Sequence, residues 1–388
     1  MKDRLNLYLK TLVAHGGSDF HIKAGSIPRI RIDGVLKKIG KDSFQASEVK
    51  LLVKQITTAE QYVMLEEKKS LDFAYLLDEK SRFRVNVFQQ MDGLSAVFRL
   101  IPAEIPTVDQ LRLPQAVKNF ADIPRGLVLV TGVTGSGKST TLAAILNRIN
   151  EQYYKHIITL EDPIEFVHTE KKCLINQRAI GTDSNSFKDA LPAALREDPD
   201  IILVGEMRDI ETIDLALHAA NTGHLVFSTL HTLDAKETVN RIIGMFPEEE
   251  QNRIRLSLAS VLSGVISQRL VPSKKGGRVA AVEILVRTAR ISELIMENRD
   301  YELPDAIAEG REIYHSQTFD QHLFDLVQSG EISEEVALEN ASSPSDLKLK
   351  FQGIGSSTSR EVERGSMNEE DLEALDTYTF KDDDEFEF

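Results

Sequence analysis

Gly132-Val133-Thr134-Gly135-Ser136-Gly137-Lys138-Ser139-Thr140 is the stretch on which the reading of this chain turns. It fits the spacing G-x-x-x-x-G-K-[ST], with the apolar residues Gly126–Thr131 before it and a helical run over 141–150 after it. Glycines at those positions let the backbone curl so that its N–H groups point inward at phosphates, and a helix N-terminus adds partial positive charge. Lys138 is expected to reach the β- and γ-phosphates and Ser139 to hold Mg²⁺. Gly132, Thr134, Gly135, Ser136, Gly137 and Thr140 complete the cradle. The sequence therefore predicts a site for ATP with Mg²⁺.

Such a site needs a carboxylate at the C-terminal end of a neighbouring strand. Downstream, the apolar run Ile201–Val204 ends in Gly205-Glu206, and Glu206 is the candidate to orient and deprotonate water. Gly205 is expected to spare the phosphate a crowding side chain. A second apolar run, 157–160, ends in Glu161-Asp162, which makes Glu161 a further candidate. An acid after a strand can instead cap the following helix. Two histidines, His224 and His231, bracket the run 225–228. His231 falls at the phosphate end, where it can meet a γ-phosphate, and nothing near it has zinc-ligand spacing.

Working outward, short fully apolar strands separated by helical segments indicate a parallel sheet buried on both faces. Residues 102–114 read as a linker marked by Pro102, Pro106 and Pro114. Residues 1–101 read as a small α+β, PAS-like domain: an amphipathic first helix, alternating strands, a hairpin at Asp33-Gly34 and two helices over 47–56 and 58–68. Residues 115–349 form the nucleotide domain, with a helical part expected from about 250 to 349. Residues 350–388 are Ser-, Gly- and acid-rich and are expected to be a disordered tail.

Hydrophobic residues make up 41% of the 388, and no run is long and apolar enough for a transmembrane helix. The first residues are too polar for a signal peptide, and the one cysteine, Cys173, excludes an internal disulfide, so a cytoplasmic protein is expected. Residues 361–388 hold twelve acidic and two basic side chains, which is ten of the net fifteen negative charges. The body is thus close to balanced. It has no basic tract interleaved with aromatics, so nucleic acid is not an expected partner.

The four segments around Lys138, Glu161, Glu206 and His231, in that order, resemble the secretion-type motor ATPases. The likeness is greatest to the PilT/PilU family of type IV pilus retraction ATPases. Leu195-Arg196-Glu197-Asp198-Pro199-Asp200-Ile201-Ile202-Leu203-Val204-Gly205-Glu206-Met207-Arg208-Asp209 is similar to that family's signature nearly letter for letter. The likeness runs from Gly17 to about Leu349.

The resemblance implies an α/β fold in which a PAS-like domain precedes a RecA-like P-loop motor domain. It implies a homohexamer, cytoplasmic and peripheral at the inner membrane, that meets an inner-membrane platform protein, with or without a second retraction ATPase. It assigns Glu206 as catalytic base, Glu161 as polarising group and His231 as γ-phosphate sensor. It also brings arginines of the N-terminal domain to the nucleotide, with Arg82, Arg84 and Arg99 as the candidates. Thr318-Phe319-Asp320-Gln321, Leu323-Phe324-Asp325-Leu326 and Asp346-Leu347-Lys348-Leu349 look more like the PilU branch. Ala306-Ile307-Ala308-Glu309-Gly310-Arg311 departs from the Ala-Ile-Arg-Ala-Gly-Glu signature of the PilT branch in the same direction. The alternatives are a pilus-assembly or type II secretion ATPase, or a nucleotide-binding ring scaffold without significant hydrolysis.

Overall fold

The computed structural model describes residues 1–32, 34–78, 81–101 and 104–353. Beyond Gly353 the acidic tail lies outside the described residues, as does Asp33 of the expected hairpin. Among the described residues, 1–342 form one compact unit and 343–353 belong to a second.

The chain begins with α1 (Lys2–Ala14), β1 (Asp19–Lys23), β2 (Arg29–Ile32), β3 (Val35–Lys38), α2 (Ala46–Ile56), α3 (Ala59–Lys68), β4 (Ser70–Leu76), β5 (Arg82–Gln90) and β6 (Gly93–Ile101). The strands form an antiparallel sheet in the order β3-β2-β1-β6-β5-β4. Period-two alternation divides its faces. Phe20, Ile22, Phe83, Val85, Val87 and Phe98 bury against Leu5, Leu9 and Leu12 of α1. The other face is charged: Arg99 lies directly opposite Asp19 on one side and Arg84 on the other.

There follow α4 (Gln115–Asn119), β7 (Gly126–Thr131), α5 (Lys138–Gln152), β8 (His156–Glu161), β9 (Leu174–Ala179), α6 (Phe187–Ala194), β10 (Ile201–Val204), α7 (Ile210–Asn221), β11 (Leu225–Leu230), α8 (Ala235–Gly244) and α9 (Glu248–Val261). Next come β12 (Leu262–Pro272), β13 (Arg278–Val286), α10 (Ala289–Met296), α11 (Leu303–Glu309), α12 (Arg311–Tyr314), α13 (Phe319–Gln328) and α14 (Glu334–Asn340). In the second unit α15 spans Pro344–Phe351. The second sheet runs β13-β12-β7-β11-β10-β8-β9, parallel except for the antiparallel pair β12–β13. Its central strands β7, β10 and β11 are almost wholly apolar because both faces are covered, whereas the edge strand β9 is not. Val128, Val130 and Phe227 pack under α4 and α5, while Leu127, Leu129, Ile202, Val204 and Val226 pack under α6–α9.

Two strands correct the helical part expected over 250–349. α9 passes into β12 at Leu262 with no Gly or Pro between them, so punctuation does not mark the change. Leu262–Pro272 and Arg278–Val286 then pair as a hairpin turned at Gly276-Gly277. The pair matters for the site because β12 lies beside β7 and supports the loop that follows it.

Candidate functional site

The C-terminal ends of β7, β8, β10 and β11 share one edge of the sheet, and the loops leaving them line a cavity of about 610 Å³. The phosphate loop supplies Thr134, Gly135, Gly137, Lys138, Ser139 and Thr140. Gly132 and Ser136, expected in the cradle, are not in the lining; they form its underside. A Cβ on Gly132 would lie 2.4 Å from the Gln268 carbonyl oxygen of β12, at a φ of +139° that side chains rarely adopt. The Gln268 amide Nε2 donates to the Ser136 carbonyl at 2.7 Å, and its Oε1 accepts from Thr141 Oγ1 at 2.8 Å. One buried glutamine thus ties the second half of the loop and the first turn of α5 to β12. Deleting it would leave a buried carbonyl unsatisfied, at a cost of about 1–3 kcal/mol.

Lys138 is 8% exposed, and its ammonium donates to the carbonyls of Gly132 at 2.8 Å and Val133 at 3.1 Å. Burial holds its pKa below the usual lysine value, while the charges of Glu206 and Glu165 act on it through space and push back. A buried ammonium whose direct partners are neutral carbonyls suits an incoming polyphosphate.

Glu206 leaves β10 and enters the cavity with its carboxylate held at both oxygens. Arg208 donates to Oε2 at 2.8 Å, and His231 Nε2 lies 3.1 Å from Oε1. Burial pushes this carboxyl up, but the Arg208 hydrogen bond and the nearby His231 and Arg208 charges outweigh it and hold the group below its ordinary value. Helix capping does not account for Glu206. Asp209 caps α7, accepting the Thr212 N–H at 2.8 Å, and Asp234 caps α8, accepting the Glu237 N–H at 2.7 Å.

Glu161, at the end of β8, accepts from Thr159 Oγ1 at 2.7 Å, and burial raises its carboxyl above the ordinary value despite that bond. The two carboxyls are therefore pushed apart, Glu206 toward the ionised form and Glu161 toward the neutral one. Gly205 lines the cavity, and a Cβ there would also meet the Leu160 carbonyl at 3.1 Å and Glu161 Cα at 3.3 Å, so it serves close packing of β8 and β10 as well. His224 is at the opposite end of β11, its Nδ1 3.0 Å from the Ala219 carbonyl, as a helix-end partner.

Arg84 and Arg99 of the first sheet line the same cavity; Arg82 does not. They sit directly opposite each other on β5 and β6. Like charges in that position are destabilising, which favours an anion between or above them. Arg99 is also paired at 2.8 Å with Asp19, itself 4% exposed. The sequence reading missed Arg208 and Arg278, both in the lining. Arg208 stood in the quoted signature and was its available signal; Arg278 opens β13, in a region read as helical. A smaller adjoining cavity of about 290 Å³ shares Gly137, Thr140, Leu270 and Arg278 with the first and adds Leu111, Arg112 and Val279.

Among known proteins, the family model described as type II/IV secretion system protein matches residues 1–336. The chain is 49% identical to the type IV pilus retraction ATPase PilT of Pseudomonas aeruginosa over 86% of its length and 96% of the relative's. It is 37% identical to the type IV pilus ATPase PilU of the same organism over 89% of its length and 90% of that relative's. A crystal structure of the pilus retraction motor PilT with bound ADP superposes with a TM-score of 0.83 at 43% identity, covering 88% of this chain and 98% of that one.

Proposed function

This chain belongs to the type II/IV secretion system protein family, and from that premise we propose that it is an ATP-hydrolysing motor that retracts type IV pili. It is an ATPase of the PilT kind. The observation that carries the mechanism is the Glu206 carboxylate, held ionised beside a buried Lys138 at the mouth of the phosphate loop.

In this reading the loop amides, Lys138, Arg84 and Arg99 bind and orient the triphosphate. The smaller cavity receives the base and ribose between Leu111 and Leu270. Ser139 would hold Mg²⁺, which neutralises phosphate charge when bound. Glu206 takes the proton of the attacking water, and His231 fixes which oxygen faces it. The Arg208 pairing is mostly exposed, at 66% for its side chain, so it is weak and gives way readily to a phosphate. Glu161, kept toward its neutral form, can donate a hydrogen bond where a second carboxylate would repel the nucleotide.

The motor acts as a homohexamer on the cytoplasmic face of the inner membrane, against a platform protein of the pilus machine and with or without a second retraction ATPase. Among the described residues no helix is long and apolar enough to cross a membrane, in keeping with that placement. The identity to PilT exceeds that to PilU, so overall similarity does not carry the leaning to PilU; the C-terminal segments are its support.

The test is purified full-length Glu206→Gln. It is expected to bind ATP like the parent and to hydrolyse it about 10²–10⁴-fold more slowly. Undiminished hydrolysis would move the base to another residue.

A further inference from the structure

A row of polar residues crosses three strands of the larger sheet beneath the nucleotide cavity. Thr131 of β7 pairs in register with Ser267 of β12, and Ser267 with Glu283 of β13. Thr131 Oγ1 donates to Ser267 Oγ at 2.9 Å, and both residues are fully buried. The Glu283 carboxylate, 7% exposed, accepts the backbone N–H of Ala235 at 2.8 Å. Ala235 opens α8, the helix reached from β11 through His231. Thr131 in turn is paired with Leu230, the residue before His231, and precedes Gly132 of the phosphate loop. The row therefore links the strand of the phosphate loop to the helix that anchors the His231 segment.

Asp234 caps α8 through the Glu237 N–H, and the Leu233 N–H goes to Glu237 Oε2 at 2.7 Å. The Ala235 N–H, a first-turn donor without an intrahelical partner, is left to Glu283 from a neighbouring strand. A buried carboxyl is costly, so its presence on a strand that is otherwise apolar after Arg278 calls for a role.

We propose that Glu283 is a positioning residue for hydrolysis: by holding the start of α8 it sets His231 against Glu206 without touching the nucleotide. The inference rests on the reading of Glu206 and His231 as the hydrolytic pair. Burial pushes the Glu283 carboxyl up and the Ala235 N–H pulls it back; Asp234 and Asp320 raise it and Arg269 lowers it, leaving it at about 7. Arg269 also donates to the Asn340 carbonyl at 2.8 Å and stacks on Phe319. His322 of α13 packs against β13, accepting the Val282 N–H, and burial takes it down to about 4, so it stays neutral near pH 7. An ionised carboxylate is a stronger acceptor than a neutral one. Positioning by Glu283 therefore strengthens as pH rises through neutrality.

The experiment is steady-state ATP hydrolysis by the full chain between pH 6 and 8, for the parent, Glu283→Gln, His231→Ala and the double variant, with thermal unfolding of each. Glu283→Gln keeps an acceptor for the Ala235 N–H but cannot ionise. Its kcat should equal the parent's near pH 6 and fall about 3–10-fold behind at pH 8, with KM for ATP unchanged. In the His231→Ala background the same change should have no further effect, and Glu283→Gln should unfold no earlier than the parent. A kcat ratio that does not vary with pH, an equal loss on top of His231→Ala, or early unfolding with lost ATP binding would each overturn the proposal. Full activity of His231→Ala alone would instead sink the reading of the hydrolytic pair.

Discussion

The two sheets of the larger unit handle charge in opposite ways. The N-terminal sheet is covered on one face and carries its charges in the middle of the other, where Arg31, Asp19, Arg99 and Arg84 follow one another across four strands. The larger sheet is covered on both faces and keeps its carboxylates for the ends of strands, with Glu283 as the exception. In the first, an arginine can be aimed at a ligand from any register position. In the second, only the strand ends are available, so Glu161, Glu206 and His231 gather at one edge. The nucleotide cavity is where that edge meets the arginine face.

The largest effects belong to the buried edge, Glu206→Gln first and Lys138→Ala next. Lys138→Ala removes the ammonium beneath the phosphates and should lower hydrolysis by about 10²–10³-fold, measured as phosphate release. A loss below tenfold would mean that the arginine face, rather than the loop, carries the phosphate charge. On that face Arg84→Ala and Arg99→Ala should each weaken ATP binding by about tenfold, read by titration with a fluorescent nucleotide. They should part in stability. Arg99→Ala leaves Asp19 buried and short of its best partner, costing about 1–3 kcal/mol in denaturant unfolding, whereas Arg84 is only 3.7 Å from an exposed Asp72 and should cost little. Equal stability of the two variants would break the contrast drawn between them.

Glu283 sharpens the comparison from the other side. Its folded-state pKa is raised, so the folded form binds more protons than the unfolded form between the ordinary carboxylate value and about 7, and stability falls as pH rises through that window. Glu283→Gln lacks this loss and should gain on the parent by about 2–4 kcal/mol between pH 4.5 and pH 7.5 in chemical denaturation, while being the slower enzyme at pH 8. An unchanged difference across that range would remove the titration from the account. The smallest effect belongs to the tail. A chain ending at residue 355 should hydrolyse ATP within about twofold of the full length, since the cavity is lined by residues between Arg84 and Arg278.

Most of the site was legible because its chemistry forces particular residues onto particular turns. A strand, a glycine loop and a lysine at a helix start leave few other readings, and acids after apolar strands follow from the parallel sheet. What escaped did so for physical reasons. β9 is an edge strand whose Leu174-Ile175-Asn176-Gln177-Arg178-Ala179 lacks the apolar run of its neighbours. β12 follows α9 without a breaker, so a long apolar stretch read as continued helix. Gly205, in the cavity lining, also packs against the backbone of β8, a close approach no local pattern encodes. Glu283 lies in a stretch expected to be helical, and only the register with Ser267 and the bond to the start of α8 reveal it as a buried strand residue.

The central claim, that ATP hydrolysis at this site pulls pili in, is tested most directly by imaging labelled pili in single cells lacking this gene, complemented with the parent chain or with Lys138→Ala. The account predicts many long pili that do not retract, restored to cycles of retraction by the parent and not by Lys138→Ala. Loss of pili from the deletion strain would contradict it and make the protein an assembly motor, and rescue by Lys138→Ala would contradict it by separating retraction from this nucleotide site.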